Sequence, residues 1–175
     1  MTSPEKDKAF FLAGLQELEP YLLSKELYWH VSAQTIDFTQ LTLGALLLVR
    51  ERLKGWGDPD AMELAMQLDA VRSKWRTAWE EKARREVRAR SELWKDFIAA
   101  RDASASQYPY QVRLRAMLTL LLDDLRESPS EMLTSLDAQL KHKFHAGAFV
   151  WDVKLQAYFP QDPFWFLYGN IATGD

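Results

Sequence analysis

The chain of 175 residues has no cysteine, which excludes disulfides, thiolate zinc sites and thiol nucleophiles. Glycine and proline are scarce, seven of each, and neither falls between Pro59 and Pro109. No glycine cluster forms a phosphate-binding loop, and no Gly-x-Ser-x-Gly marks a nucleophile elbow. Charge of one sign is not in excess. A formal net charge of -3 gives no general attraction to nucleic acid or anionic lipid, so any such binding would need a local patch. Long apolar runs are missing too. The most apolar stretch, Leu41 to Val49, is closed by Arg50-Glu51-Arg52 and falls far short of the ~20 residues that span a bilayer, so no membrane partner is expected. Met1 to Lys8 is polar and lacks the basic and apolar regions of a secretory signal. A cytoplasmic protein is the expectation.

What the chain has is helix punctuation and aromatic mass. Ser3-Pro4, Asp58-Pro59, Ser128-Pro129 and Asp162-Pro163 each pair a capping side chain with a proline suited to the first helical turn. Glu131 after Ser128 and Gln40 after Asp37 complete two capping boxes. The spacing predicts a helix from Pro4 to Leu18 with Phe11, Leu15 and Leu18 on one face, ended by Pro20. A second segment, Tyr21 to His30, carries Leu23 and Leu27. Phe38 to Lys54 is apolar on nearly every side, which implies burial, and Gly55 supplies its stop. Gln111 to Glu127 is a second apolar helix, expected to form the central pair of the core with the Phe38 helix. Beyond Ser128-Pro129, Leu133, Leu136, Leu140 and Phe144 lie on one stripe of an amphipathic helix. The aromatic-rich segment 147–175 lacks clear periodicity and suits a short helix with extended flanks.

The dominant stretch runs from Pro59 to about Ala103, ahead of the loop Ala103 to Pro109. Read as one helix it would be roughly 68 Å long, longer than the ~40 Å breadth of a globule of this size. Its middle, Glu80 to Glu92, is nearly all charge and is expected to be exposed, supported by the pairs Glu80/Arg84, Glu81/Arg85 and Glu86/Arg90. Trp94, Phe97 and Ile98 resume an apolar stripe that something must cover: the returning Gln111 helix, or a partner. The expected surface is Arg84, Arg85 and Arg88 exposed, with Trp94 and Ile98 buried.

Three chemistries compete. His142 and His145, one turn apart on a predicted helix, with His30 and Glu26, would be the candidate metal ligands. The Glu-x-x-His pattern of di-metal bundles is absent and Lys141 and Lys143 oppose a cation, so neither metal nor other cofactor is expected. Arg72, Lys74, Arg76, Lys82, Arg84, Arg85, Arg88 and Arg90, interleaved with Trp75 and Trp79, could track a phosphate backbone, although a solvated face pairing Arg with Glu explains the same residues. The C-terminal aromatics with Asp152 and Asn170 could line a ligand pocket, although core packing serves them as well.

The expectation is an all-α, single-domain bundle of about six helices with one very long helix (about 59–103). Its favoured function is a non-catalytic interaction or scaffold protein, an adaptor or subunit with a protein partner or self-association. The alternatives are nucleic-acid association through residues 72–90, and a small-molecule or metal-dependent enzyme using the C-terminal third.

Overall fold

A computed structural model describes residues 3–31 and 40–172. The fold is all-α with one small two-stranded ribbon, and the chain divides into two compact units, 1–86 and 87–175.

The first unit holds α1 (Pro4–Leu23), α2 (Leu43–Trp56), α3 (Ala61–Lys74) and the first part of α4 (Arg76–Ala99). Ser3 caps α1 as expected, its hydroxyl accepting the Lys6 N–H at 3.3 Å. Pro20 does not end α1, which continues to Leu23. A proline in the last turns removes only the bond to the carbonyl four residues back, and the apolar face through Leu18, Tyr21 and Leu22 stays buried. Residues 24–30 are therefore not a second helix but an irregular segment, tied by mutual backbone bonds between Trp29 and Leu41 at 3.1 and 2.8 Å. Asp37 and Phe38 lie outside the described residues. The α2 helix starts at Leu43 under Thr42, whose hydroxyl accepts the Ala45 N–H at 3.1 Å. It stops at Gly57, which takes the left-handed conformation (φ 70°), rather than at Gly55.

α1, α2 and α3 pack on one another. Gly14 lets α2 approach α1 closely, since a Cβ there would stand 2.8 Å from Leu46 Cδ2. Asp7, buried on α1, ties the same pair of helices by accepting from Arg52 Nε and from Trp56 Nε1, each at 2.8 Å.

The expected long helix is interrupted once. Trp75 leaves helical geometry (φ -114°, ψ 38°), and α3 begins at Ala61 rather than Pro59, because the Asp58 carboxylate turns the chain by accepting the Asp60 N–H at 2.8 Å. The bonds Trp75 N–H to Val71 and Trp79 N–H to Trp75 persist at 3.0 and 2.9 Å, so this is a single-residue bend, not a loop. From Arg76 to Ala99 the helix is unbroken.

The second unit holds the rest of α4, α5 (Tyr108–Gln111), α6 (Arg113–Leu125), α7 (Glu131–Lys143), α8 (Gln161–Phe164), and the strands β1 (Phe144–Phe149) and β2 (Tyr168–Ile171). The α7 cap is Ser130, accepting the Leu133 N–H at 3.2 Å, and not Ser128. α6 closes on Arg126 in the left-handed conformation, φ 56°. Arg115 of α6 is buried in a two-bond pair with Asp137 of α7, both at 2.8 Å, and lies 4.9 Å over the Phe166 ring. β1 and β2 run antiparallel with Phe144 opposite Ile171 and Ala146 opposite Gly169. Gly169 has φ 153°, and a Cβ there would fall on the His145 carbonyl and 2.6 Å from the Phe144 ring. Between the strands, turns of 3-10 helix at Val153–Tyr158 and Trp165–Leu167 give the short helical pieces with extended flanks that the aromatic pattern suggests.

Those aromatics pack into an unbroken path of ring contacts: Trp94, Phe97, Tyr108, Phe144, Trp165, Phe166, Phe164, Phe159, Trp151, Phe149 and Tyr168, successive centroids 5.2 to 6.4 Å apart. Tyr108 is fully buried and donates to the Phe166 carbonyl at 2.7 Å. Burial of its ring pushes the phenol well above its ordinary range.

Candidate functional site

The charged middle of α4 departs from expectation, because Lys82, Glu86 and Arg90 are all buried. Two of them lie in the first unit and serve helix ends, where unpaired backbone groups and the macrodipole favour an opposite charge. Lys82 Nζ donates to the carbonyls of Tyr21 (2.7 Å), Ser24 (2.9 Å) and Glu26 (2.7 Å) at the exit of α1, and sits 4.3 Å over the Tyr21 ring. One turn later, Glu86 accepts the Gly44 N–H with both carboxylate oxygens, at 3.1 and 3.0 Å, in the first turn of α2. Burial pulls the Lys82 pKa down to about 8, with Arg85 adding to the effect and Glu26 opposing it.

The basic surface is accordingly smaller than the sequence implies. Arg84, Arg85 and Arg88 are exposed as expected, but Lys82 and Arg90 are withdrawn from it. Glu80 takes Arg76 at 3.0 Å and Arg84 at 3.6 Å, and Arg76 foremost holds the Glu80 carboxyl below its ordinary range. Arg85 donates to the Lys25 carbonyl at 3.0 Å instead of serving a glutamate one turn away. Trp79 is fully buried and offers no stacking face of the kind a nucleic-acid groove uses, and Trp75 is half-buried with Lys74 Nζ 5.2 Å over its ring.

The histidines are not gathered into a ligand set. His30 is exposed beside Gln40, its Nε2 3.3 Å from the amide nitrogen. His142 lies in the last turn of α7 while His145 belongs to β1, because the chain turns extended at Phe144. That breaks the one-turn spacing. Among the described residues no group of three or more His, Cys, Asp or Glu could hold a metal ion. Asp152 and Asn170 have local structural roles. Asp152 accepts the Lys154 N–H at 2.9 Å, and Asn170 donates to the Ala105 carbonyl at 3.0 Å.

Trp94 and Ile98 are buried by the chain itself, so their cover requires no partner and they offer none a surface. Immediately beside them, still in the second unit, is an open groove of about 410 Å³. It is lined by Leu93, Asp96 and Phe97 of α4, by Asp102 in the loop that follows, and by Tyr110, Arg113 and Leu114. Leu93 is 45% and Tyr110 63% exposed. Arg113 lies 4.1 Å over the Tyr110 ring and donates to its hydroxyl at 2.6 Å. The sequence signal for this groove is faint: Leu93 falls one position off the Trp94, Phe97 and Ile98 stripe, and Tyr110 follows a proline in what reads as loop.

No protein-family model, curated protein or solved structure matches the chain. No helix among the described residues is long and apolar enough to cross a membrane.

Proposed function

We propose that the protein is a non-catalytic helical module that binds another protein through the α4–α5–α6 groove of its second unit. The observation that carries this reading is the exposure of Leu93 and Tyr110 side by side on one groove, in a unit where eleven aromatics from Trp94 to Tyr168 are packed ring against ring. Apolar surface left in water forgoes about 25 cal/mol per Å², which burial against a partner would recover. The buried ionic side chains Asp7, Lys82, Glu86 and Arg115 are engaged at helix ends and between helices.

The test is affinity recovery of the tagged full chain from its source cells, beside a Leu93→Asp variant whose circular dichroism matches the parent. A single polypeptide, recovered in near-equal amount with the parent and depleted about ten-fold with the variant, is the expected result. Equal recovery by both forms would sink this reading.

A further inference from the structure

We infer that the groove accepts a segment in which a large apolar side chain lies within one helical turn of a lysine or arginine. This rests on the protein-binding reading and adds the chemistry of the partner. The apolar half of the requirement follows from the floor, where Phe97 and Leu114 are buried beneath the exposed edges of Leu93 and Tyr110. An open groove of this volume holds a side chain or two, not a folded surface.

The basic half follows from the carboxylates. Asp96 and Asp102 both line the groove, and among the described residues neither makes a hydrogen bond or ion pair; Asp96 feels Lys95 only through space. The cations nearby are engaged or lie outside the lining. Lys95 is held by Glu92 at 2.9 Å, Lys143 by the Ile98 carbonyl at 2.8 Å, and Arg101 does not line the groove. Arg113 is the one cation of the lining, and its guanidinium is folded onto Tyr110. An incoming cation would meet two uncommitted carboxylates beside an apolar floor, against the single guanidinium of Arg113, so the balance of charge in the lining favours a cation over an anion. Complementary charge of this kind selects partners and speeds encounter.

The experiment is selection of a random dodecamer library displayed on phage against the full chain, counter-selected on the Leu93→Asp variant. Enriched peptides are expected to carry Lys or Arg within four positions of Leu, Ile, Met, Phe or Trp. A synthetic peptide from that pool should lose roughly 3- to 10-fold in affinity to the Asp96→Asn/Asp102→Asn double variant, the scale of two rim charges. Selection on Asp96→Lys/Asp102→Lys should turn the pool acidic. A pool without charge preference, an acidic pool on the parent, affinity unchanged in the double variant, or no enrichment over the Leu93→Asp form would each overturn the inference. A dimer abolished by Leu93→Asp would overturn it as well, making a second copy the occupant. If Leu93-dependent recovery of a cellular partner holds while the selection fails, only the partner chemistry falls; if both fail, so does the protein-binding reading.

Discussion

Replacing Lys82 by Met tests whether a buried ammonium closes the first unit. The substitution keeps most of the side chain's length and removes three donor bonds to carbonyls. Hydrogen bonds to a charged group contribute about 1.5 to 3 kcal/mol each, so the low end gives roughly 4 to 5 kcal/mol lost. Two effects reduce that figure. The Tyr21 carbonyl keeps Ser24 Oγ as donor at 2.7 Å, and the variant no longer buries a charge, whose displacement from an ordinary ~10.4 to about 8 corresponds to about 3 kcal/mol at most. The net expectation at pH 7 is destabilisation by about 2 kcal/mol, read by chemical denaturation.

The pH dependence carries the sharper sign. A lysine whose pKa is lowered by folding binds fewer protons in the folded than in the unfolded state between pH 8 and ~10.4, so the parent gains stability as pH rises through that window. Below pH 8 both states are protonated and the burial cost is constant. Lys82→Met lacks the gain, and the gap between parent and variant should widen by roughly 1 to 3 kcal/mol from pH 7 to pH 10. A gap that narrows with rising pH would refute the reasoning, because it would mean the site stabilises the ammonium overall.

Three further outcomes are expected. Gly169→Ala forces a Cβ into the His145 carbonyl at a φ that side chains rarely adopt; a loss of about 3 kcal/mol, with faster amide exchange across β1 and β2, is expected, and a loss under ~0.5 kcal/mol would contradict it. Ser130→Ala should lower the unfolding free energy by about 1 kcal/mol while Ser128→Ala changes it by less than ~0.5; the reverse order would restore Ser128 as the α7 cap. Arg126→Gly relieves left-handed strain of ~1 to 2 kcal/mol against a chain-entropy cost of ~0.4 to 1, so a gain of up to about 1.6 kcal/mol in thermal or denaturant unfolding is expected, and any destabilisation counts against it.

Much of the all-α character was legible because its signals are local. Ser3 before Pro4 marks a helix start, and Leu133, Leu136 and Leu140 on α7 and the burial of Trp94 and Ile98 follow from period alone. The errors of exposure have a common physical origin in distant partners. Nothing within a turn of Lys82 or Glu86 reveals that each meets the end of another helix, with contacts 56 to 61 residues away for Lys82 and 42 for Glu86. Charge density in a window therefore gave the wrong exposure. Trp75 interrupts the helix without Gly or Pro, so composition held no warning. The groove was hidden for another reason: its apolar and acidic residues come from α4, a loop, α5 and α6, and no single periodic stretch contains them.

The path of aromatic rings in the second unit has an optical consequence. Fixed, mostly edge-on and tilted pairs 5.2 to 6.4 Å apart hold their transition dipoles in one chiral arrangement, and such an arrangement rotates near-ultraviolet light only while the packing persists. Trp94, Trp151 and Trp165 sit on that path, whereas Trp29, Trp56, Trp75 and Trp79 belong to the first unit. The second unit thus carries a continuous chromophore array, and its packing contributes to the aromatic band beside the four tryptophans of the first unit, while the far-ultraviolet signal counts helix from the whole chain.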